Sequence, residues 1–288
     1  MLPPGDIRNC IMALANTEPT MQQLLNYRFT DGSLAGQSFG NLFLAAMNGI
    51  SGSFDEAVHR MGDVLAITGR VLPVTNQDVR LEAEFHDGSR ILGESKIFYA
   101  KKINNSRIRK VRLVPERPAA LPESVRAIRE ADIVVIGPGS LYTSIIPNLL
   151  VDGIVDAISA SDSMKIYICN VMTESGETEG YTASDHIQAI FNHSCPCLFN
   201  LCLVNSAPLP RLIAQHYARE GSIPVFCDER ACEHLGVEMI ARPICAVENQ
   251  LIRHNPGHVA AELMTLYRQR TIRVVEEDTG FVRNRMEK

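Results

Sequence analysis

Residues 131–144, Ala131-Asp-Ile-Val-Val-Ile-Gly-Pro-Gly-Ser-Leu-Tyr-Thr-Ser144, decide how the rest of the chain is read. Ile133 to Ile136 is a short apolar, β-branched run of the kind buried on both faces of a sheet. It leads into Gly137-Pro138-Gly139-Ser140, where the backbone is stripped of side chains and must turn, and the apolar helical pattern resumes at Ile145. A glycine-rich turn between a strand's carboxyl end and a helix start offers backbone N–H groups to an anion. In open α/β sheets, ligands gather in the crevice beyond those strand ends. The stretch therefore reads either as a phosphate or nucleotide site or as an ordinary tight βα turn.

Downstream the same alternation repeats. Leu149 to Ile158 is helical by spacing, and Met164 to Val171 is the next strand, with Asn170 at its end. A polar loop, Met172 to Tyr181, precedes a helix capped by Thr182 or Ser184. Cys197 to Asn205 reads as a strand, followed by a helix to about Tyr217 and a strand at Pro224–Cys227. Ile240 to Cys245 suggests one more strand, and the last helix spans His258 to Arg268. Repeated βα units predict a parallel sheet with helices on both faces.

Upstream, Asp6 stands at a helix cap, a second helix runs from Glu18 to Phe29 behind Pro19, and Ser53-Phe-Asp-Glu56 is a capping box. Between them, Asp31 to Asn41 is rich in glycine and serine and opens onto the apolar run Leu42–Met47, which suits a second anion cradle or a surface loop before a capped helix. Alternation in Val79–Phe85, then Asp87-Gly88, then Ser89–Leu92 predicts a β-hairpin with a two-residue turn, and Ile108–Val114 another strand. Seven basic and no acidic residues lie between Ser95 and Pro115, which fits a solvated strand face or a contact with an anion. The fold expected is a single α/β domain over 1–288, a Rossmann-like three-layer sandwich with a mainly parallel sheet. It carries a small antiparallel β insertion at 70–114 and a charged tail at 271–288.

Composition narrows the function. The chain has 288 residues, 45% hydrophobic and 21% charged, with a net charge of −5. That is globular, and it argues against a nucleic-acid partner, which calls for a basic domain. No apolar run approaches the ~18 residues that span a bilayer, so membrane insertion is not expected. The eight cysteines lack the paired spacing of a zinc site, although His193-Ser-Cys195-Pro-Cys197 with Cys202 nearby invites that reading. No metal site is assigned, and free thiols with no secretory leader suggest the cytoplasm.

Polar residues gather at the expected strand ends: Ser140, Thr143, Asn170, Thr173, Glu177, Thr178 and Asn205. They suit hydrogen bonding to a sugar and phosphates better than nucleophilic catalysis. The Walker A and Gly-x-Gly-x-x-Gly patterns are missing, and no cysteine has an evident histidine base. No catalytic residue is assigned. Tyr142, Tyr181 and Tyr217 are the aromatic residues suited to stacking a base.

Several motifs together resemble a known family. Leu2-Pro-Pro-Gly-Asp-Ile-Arg-Asn9, Gly36-Gln-Ser-Phe-Gly-Asn-Leu42, Gly69-Arg-Val-Leu-Pro73, Ile136-Gly-Pro-Gly-Ser-Leu-Tyr-Thr-Ser144, Cys169-Asn-Val-Met172, Gly176-Glu-Thr178 and Gly180-Tyr-Thr-Ala-Ser-Asp-His186 occur in order. They resemble the gluconeogenesis-factor branch of the CofD-like superfamily. The resemblance implies a cytoplasmic bacterial protein that binds UDP-N-acetylglucosamine and is needed for cell shape and for growth on gluconeogenic carbon sources. It implies that Asn9 and the Ser38–Asn41 loop line the ligand crevice, that the turn from Gly137 through Gly139 to Ser140 approaches the diphosphate, and that Tyr217 and Arg253 contact the nucleotide sugar. A guanidinium such as that of Arg253 suits the task because it bridges two phosphate oxygens.

Two alternatives follow from the same resemblance. The sister branch, 2-phospho-L-lactate transferase, moves a phospholactyl group with Mg²⁺, which would make this a transferase of phosphorus-containing groups. The family also carries a Gly-Gly-Gly-Thr-Gly loop and an Asp-Asp-Gly-Gly-Ser-Ser-Gly segment ahead of the Leu-Pro-Pro-Gly-Asp motif at which this chain starts, and Gln37 stands where relatives have histidine. An unpaired sheet edge with an exposed apolar face is then expected. In that case the chain would be a ligand-incompetent protein acting through homo-oligomer or cell-envelope regulatory partners.

Overall fold

The chain opens with four helices that build a core of their own in the computed structural model, which describes residues 5–103 and 106–286. These are α1 (Gly5–Leu14), α2 (Pro19–Asn26), α3 (Phe39–Ile50) and α4 (Phe54–Val64). Asp6 lies in the first turn of α1, where a carboxylate favours the positive helix end, instead of at the cap. Ser53 caps α4 by accepting from the Glu56 amide, as the capping box requires. Ile11, Leu25, Leu44, Ala57, Val58 and Met61 close the cluster between these helices.

A three-stranded antiparallel sheet follows, from β1 (Arg80–Phe85), β2 (Arg90–Leu92) and β3 (Ile108–Val114), in the order β2-β1-β3. The loop between β1 and β2 has three residues, His86-Asp87-Gly88, and not two. The Phe85 amide donates to the Ser89 carbonyl, and Gly88 at φ 83° supplies the left-handed position that closes it. Between β2 and β3 the chain forms helix α5 (Glu94–Ile103), which local alternation had hidden. The basic stretch is thus divided between a helix and a strand; the side chains of Lys101 and Lys102 lie outside the described residues.

Next comes α6 (Pro122–Arg129), then β4 (Ile133–Ile136), the helical turn Leu141–Ile145, α7 (Ile146–Leu149) and α8 (Ile154–Ala160). The helix expected from Leu149 to Ile158 is broken at Gly153. The remaining elements are β5 (Met164–Ile168), α9 (Ala183–His193), β6 (Leu201–Asn205), α10 (Arg211–Arg219), α11 (Glu229–His234), β7 (Glu238–Arg242), β8 (Cys245–Glu248), β9 (Leu251–His254) and α12 (Pro256–Met286). The last helix continues through the stretch read as a tail.

Strands β4, β5, β6 and β7 form a parallel sheet in that order. The α/β class and the mainly parallel sheet therefore hold, with two corrections. Pro224–Cys227 makes only isolated bridges, to Met172 and Thr182, because the fourth place in the sheet goes to β7. And β4 is an edge strand of the described sheet, not one buried on both faces: Val135 remains 39% exposed. A two-residue turn at Asn249-Gln250, both in the left-handed region, folds β8 onto β9 as a hairpin that alternation had not revealed.

Successive side chains on a strand point to opposite faces, and the two faces of the sheet have different partners. Tyr167, Cys169, Cys202 and Val204 pack under α7, α8 and α9, with the antiparallel sheet beyond those helices and not directly on the parallel sheet. Ile166, Ile168, Leu201, Leu203 and Ile240 pack on the other side against Val259 of α12.

Candidate functional site

The turn after β4 is glycine-rich for a packing reason. Gly137 has φ 79°, and a Cβ on it would lie 3.1 Å from Ile145 and 3.2 Å from the Ile168 carbonyl oxygen. Larger residues would be both strained and crowded. Beyond it, the helix start is already occupied by the chain's own acids. Ser140 Oγ donates to Glu174 at 2.8 Å, and the Tyr142 amide donates to the Glu177 carboxylate at 2.6 Å. Glu177 is 0% exposed. An amide–carboxylate bond at a helix start is the electrostatics expected for a phosphate, supplied here from within. Thr143 sits half-buried in the same helical turn.

Asn170 joins this turn to the next strand end. Its Nδ2 donates to the Gly139 carbonyl at 3.0 Å, while its Oδ1 is buried with no partner. On the far side of Asn170 lies a cavity of about 490 Å³ at the carboxyl ends of β5 and β6. Cys169, Asn170 and Val171 form one wall, and Asn205, Ser206 and Ala207 another. Asn205 holds its wall in shape: Oδ1 accepts from the Ala207 and Ile244 amides and Nδ2 donates to the Ala207 carbonyl. Helix α10 closes the space with Arg211, Ala214, Gln215 and Ala218, a spacing of three and four that presents one helix face. Val225 and Cys227 complete it.

Of the polar residues expected at the strand ends, Asn170 and Asn205 line this cavity, and of those the resemblance places at the ligand none does. Gly137, Gly139, Ser140 and Thr143 stand behind it. The Tyr217 hydroxyl accepts from the Ile252 amide at 3.1 Å, so it joins α10 to β9. Ile252 is buried and His254 Nε2 donates to the Cys169 carbonyl at 3.0 Å, so Arg253 between them alternates outward and is exposed. Asn9, Ser38 and Asn41 form a separate group among the N-terminal helices. Ser38 caps α3 by accepting from the Asn41 amide, and Arg8 donates to both Ser38 and Asn9. The reading of that loop as a capped helix start describes what Ser38 does.

Arg211, Gln215 and the small residues of α10 were missed because their pattern is that of any exposed amphipathic helix. The one local signal was the position of the helix, directly after a strand ending in Asn205.

The titratable groups near the cavity are tuned away from acid–base work. Burial lowers the pKa of His186, His193 and His254, partly offset by the main-chain carbonyls of Thr182, Ala189 and Cys169. Burial also raises the Cys227 thiol, with Glu229 adding to it, and raises Cys232 to about 12. Asp228 is engaged by Ser184, whose amide and hydroxyl both donate to it.

An α/β domain with its cavity beyond the strand ends has the arrangement in which open α/β sheets bind ligands. The model of the family described as 2-phospho-L-lactate transferase CofD matches residues 1–245. A Thermoanaerobacterium thermosulfurigenes relative is 49% identical over 92% of this chain and 82% of its own length. The Bacillus subtilis protein named gluconeogenesis factor is 44% identical over 93% of this chain and 83% of its own. A crystal structure of a Bacillus halodurans protein superposes with a TM-score of 0.87 at 44% identity, covering 91% of this chain and 83% of the other. The chain belongs to the CofD family, in the branch of the gluconeogenesis factors. It spans 58% of the length of the relatives from Clostridium acetobutylicum and Nostoc.

Proposed function

We propose that this protein is a nucleotide-sugar-binding regulator whose ligand is UDP-N-acetylglucosamine. Its role is in cell shape and in growth on gluconeogenic carbon sources, in keeping with the name its relatives carry. The observation that supports the reading most is the cavity at the ends of β5 and β6. Its volume of about 490 Å³ falls in the range of small-molecule sites, and its walls offer amides, a hydroxyl and one cation beside apolar surface. Such walls bind and orient a polar anionic molecule.

Mg²⁺ does not suit these walls. It takes carboxylate oxygens, and among the described residues no Asp or Glu lines the cavity. Asp228, the acid next to Cys227 in sequence, is held by Ser184. No group of three potential ligands gathers elsewhere among the described residues.

Titration calorimetry with UDP-N-acetylglucosamine tests the proposal. A saturable heat that UDP-glucose reproduces only weakly is the expected result. No heat at millimolar ligand would remove it.

A further inference from the structure

We infer that His193 is an acid-sensitive latch between the antiparallel sheet and α9: the neutral ring holds the edge of β3, and protonation releases it. The inference goes beyond the proposed function and does not depend on what the cavity binds.

The two bonds of the ring fix its state. Nδ1 lies 2.7 Å from the Ala189 carbonyl oxygen, which can only accept, so Nδ1 carries the ring proton. Nε2 is left with a lone pair, and it accepts from the Val111 amide at 3.2 Å. A further proton can go only to Nε2, where it would set two donors against each other. Other histidines lack this property. His59, His186, His216, His254 and His258 each turn a ring nitrogen toward an oxygen atom, and a charged ring still donates to those. Among the described residues, His193 is the histidine whose ring accepts from the main chain.

What the bond holds is an edge. β3 is an outer strand of its sheet, and Ala83 of β1 lies on its other side. The Val111 amide points away from β1, and the imidazole takes the place of a further strand. Val111 is buried, so water does not take over when the acceptor is lost. The ring itself is half-buried, within reach of solvent protons. Its surroundings favour the neutral form. From β3 the Lys110 ammonium acts on it, and from the turn Leu141–Ile145 the Tyr142 ring meets it in a T-shaped contact at 5.7 Å. Glu177 and Asp185 bear on Tyr142, while among the described residues no carboxylate bears on the imidazole. Burial, with Lys110 adding to it and the Ala189 carbonyl opposing, holds the ring below its ordinary 6.5. The latch is therefore closed above pH 6.5 and opens as the pH falls below it. Arg107, which donates to the Glu179 carbonyl at 3.0 Å, and the buried side chains of Ile108 and Leu113 keep the sheet attached, so acid loosens the strand edge without detaching the sheet.

Hydrogen exchange of the full chain, read by mass spectrometry at about pH 7.5 and 5.5 and referred to the unfolded chain at each pH, tests the latch. Wild type is compared with His193→Gln, whose side-chain oxygen can accept from the Val111 amide and takes up no proton. In wild type the protection of β3 should fall by up to about tenfold at the lower pH, the ratio set by a released ring of pKa ~6.5. Protection of β6 should fall less, and β3 of His193→Gln should keep its protection. Unchanged β3 protection in wild type, or an equal loss in His193→Gln, would overturn the inference. Should that variant not fold, nitrogen-15 NMR of wild type decides: the Val111 amide signal should shift along the titration of the His193 ring, and an amide that stays still through it would be equally fatal.

Discussion

The exposed face of the antiparallel sheet and the cavity under α10 both carry arginine, and they use it in opposite ways. On the sheet, Glu84 of β1 takes both Arg90 and Arg109, and Glu82 with Glu116 takes Arg112. Carboxylates and guanidinium groups alternate across neighbouring strands, so Arg109 and Arg112 of the basic stretch already have their counter-ions. In the cavity, Arg211 is the one charged residue among the described walls, beside amides, a hydroxyl, thiols and apolar groups. A count of basic residues points to the sheet as the anion site, whereas Arg90, Arg109 and Arg112 there are already engaged by the sheet's own acids. What distinguishes a binding cation from a structural one is whether the fold has already supplied its counter-ion.

Giving the cavity its own counter-ion should erase that difference. Gln215→Glu places a carboxylate four residues from Arg211 on the same helix face, the spacing of a stabilising pair. Nucleotide-sugar affinity is expected to fall by about 100-fold, the largest effect foreseen, and calorimetry reads it directly. An affinity within threefold of wild type would place the ligand outside this cavity.

Removing the internal acid at the glycine turn should affect folding more than binding. Glu177→Ala leaves the Tyr142 amide without its acceptor in a buried place and is expected to cost about 3 kcal/mol of stability, measured by urea unfolding. If the variant were as stable as wild type and bound phosphate at the vacated amide, the turn would be the anion site after all.

Buried histidines extend the comparison to protons. His186, His193 and His254 have pKa values below the ordinary 6.5, so the unfolded chain binds protons more readily than the fold. Their contribution to stability is complete above pH 6.5 and is lost as the pH falls below it, at up to about 1.4 kcal/mol per pH unit for each proton taken up. Melting temperature should decline between about pH 7 and 5, and less steeply in His186→Phe. A flat profile would mean that the folded and unfolded chains take up protons alike.

The smallest change is expected on the sheet. Arg112→Ala breaks an exposed network and should move the melting temperature by about 2 °C or less, with ligand affinity unchanged. A clear loss of affinity would make the charged face part of the binding surface.

Much of this was visible in the sequence, and the misses share a cause. The strand at Ile133–Ile136, the strands ending near Asn170 and Asn205, and the caps at Ser38 and Ser53 could be read because each depends on a few adjacent residues. Pro224–Cys227 and Ile240–Cys245 both read as strands since both runs are short and apolar, and only pairing with β6 selects the second for the sheet, as β7. The surroundings of Tyr217 and Arg253, expected at the nucleotide sugar, could not be read locally, because it is the hairpin of β8 and β9 that brings the Ile252 amide to the Tyr217 hydroxyl and leaves Arg253 exposed.

By itself the sequence determined the α/β alternation, the family and the crowded glycine turn, since periodicity and backbone freedom act over a few residues. The tertiary structure alone decided which polar groups are already satisfied. Partners such as Glu177 with Tyr142 or Asn205 with Ile244 are 35 and 39 residues apart, and the free charge of a site is what remains after such long-range pairs have formed.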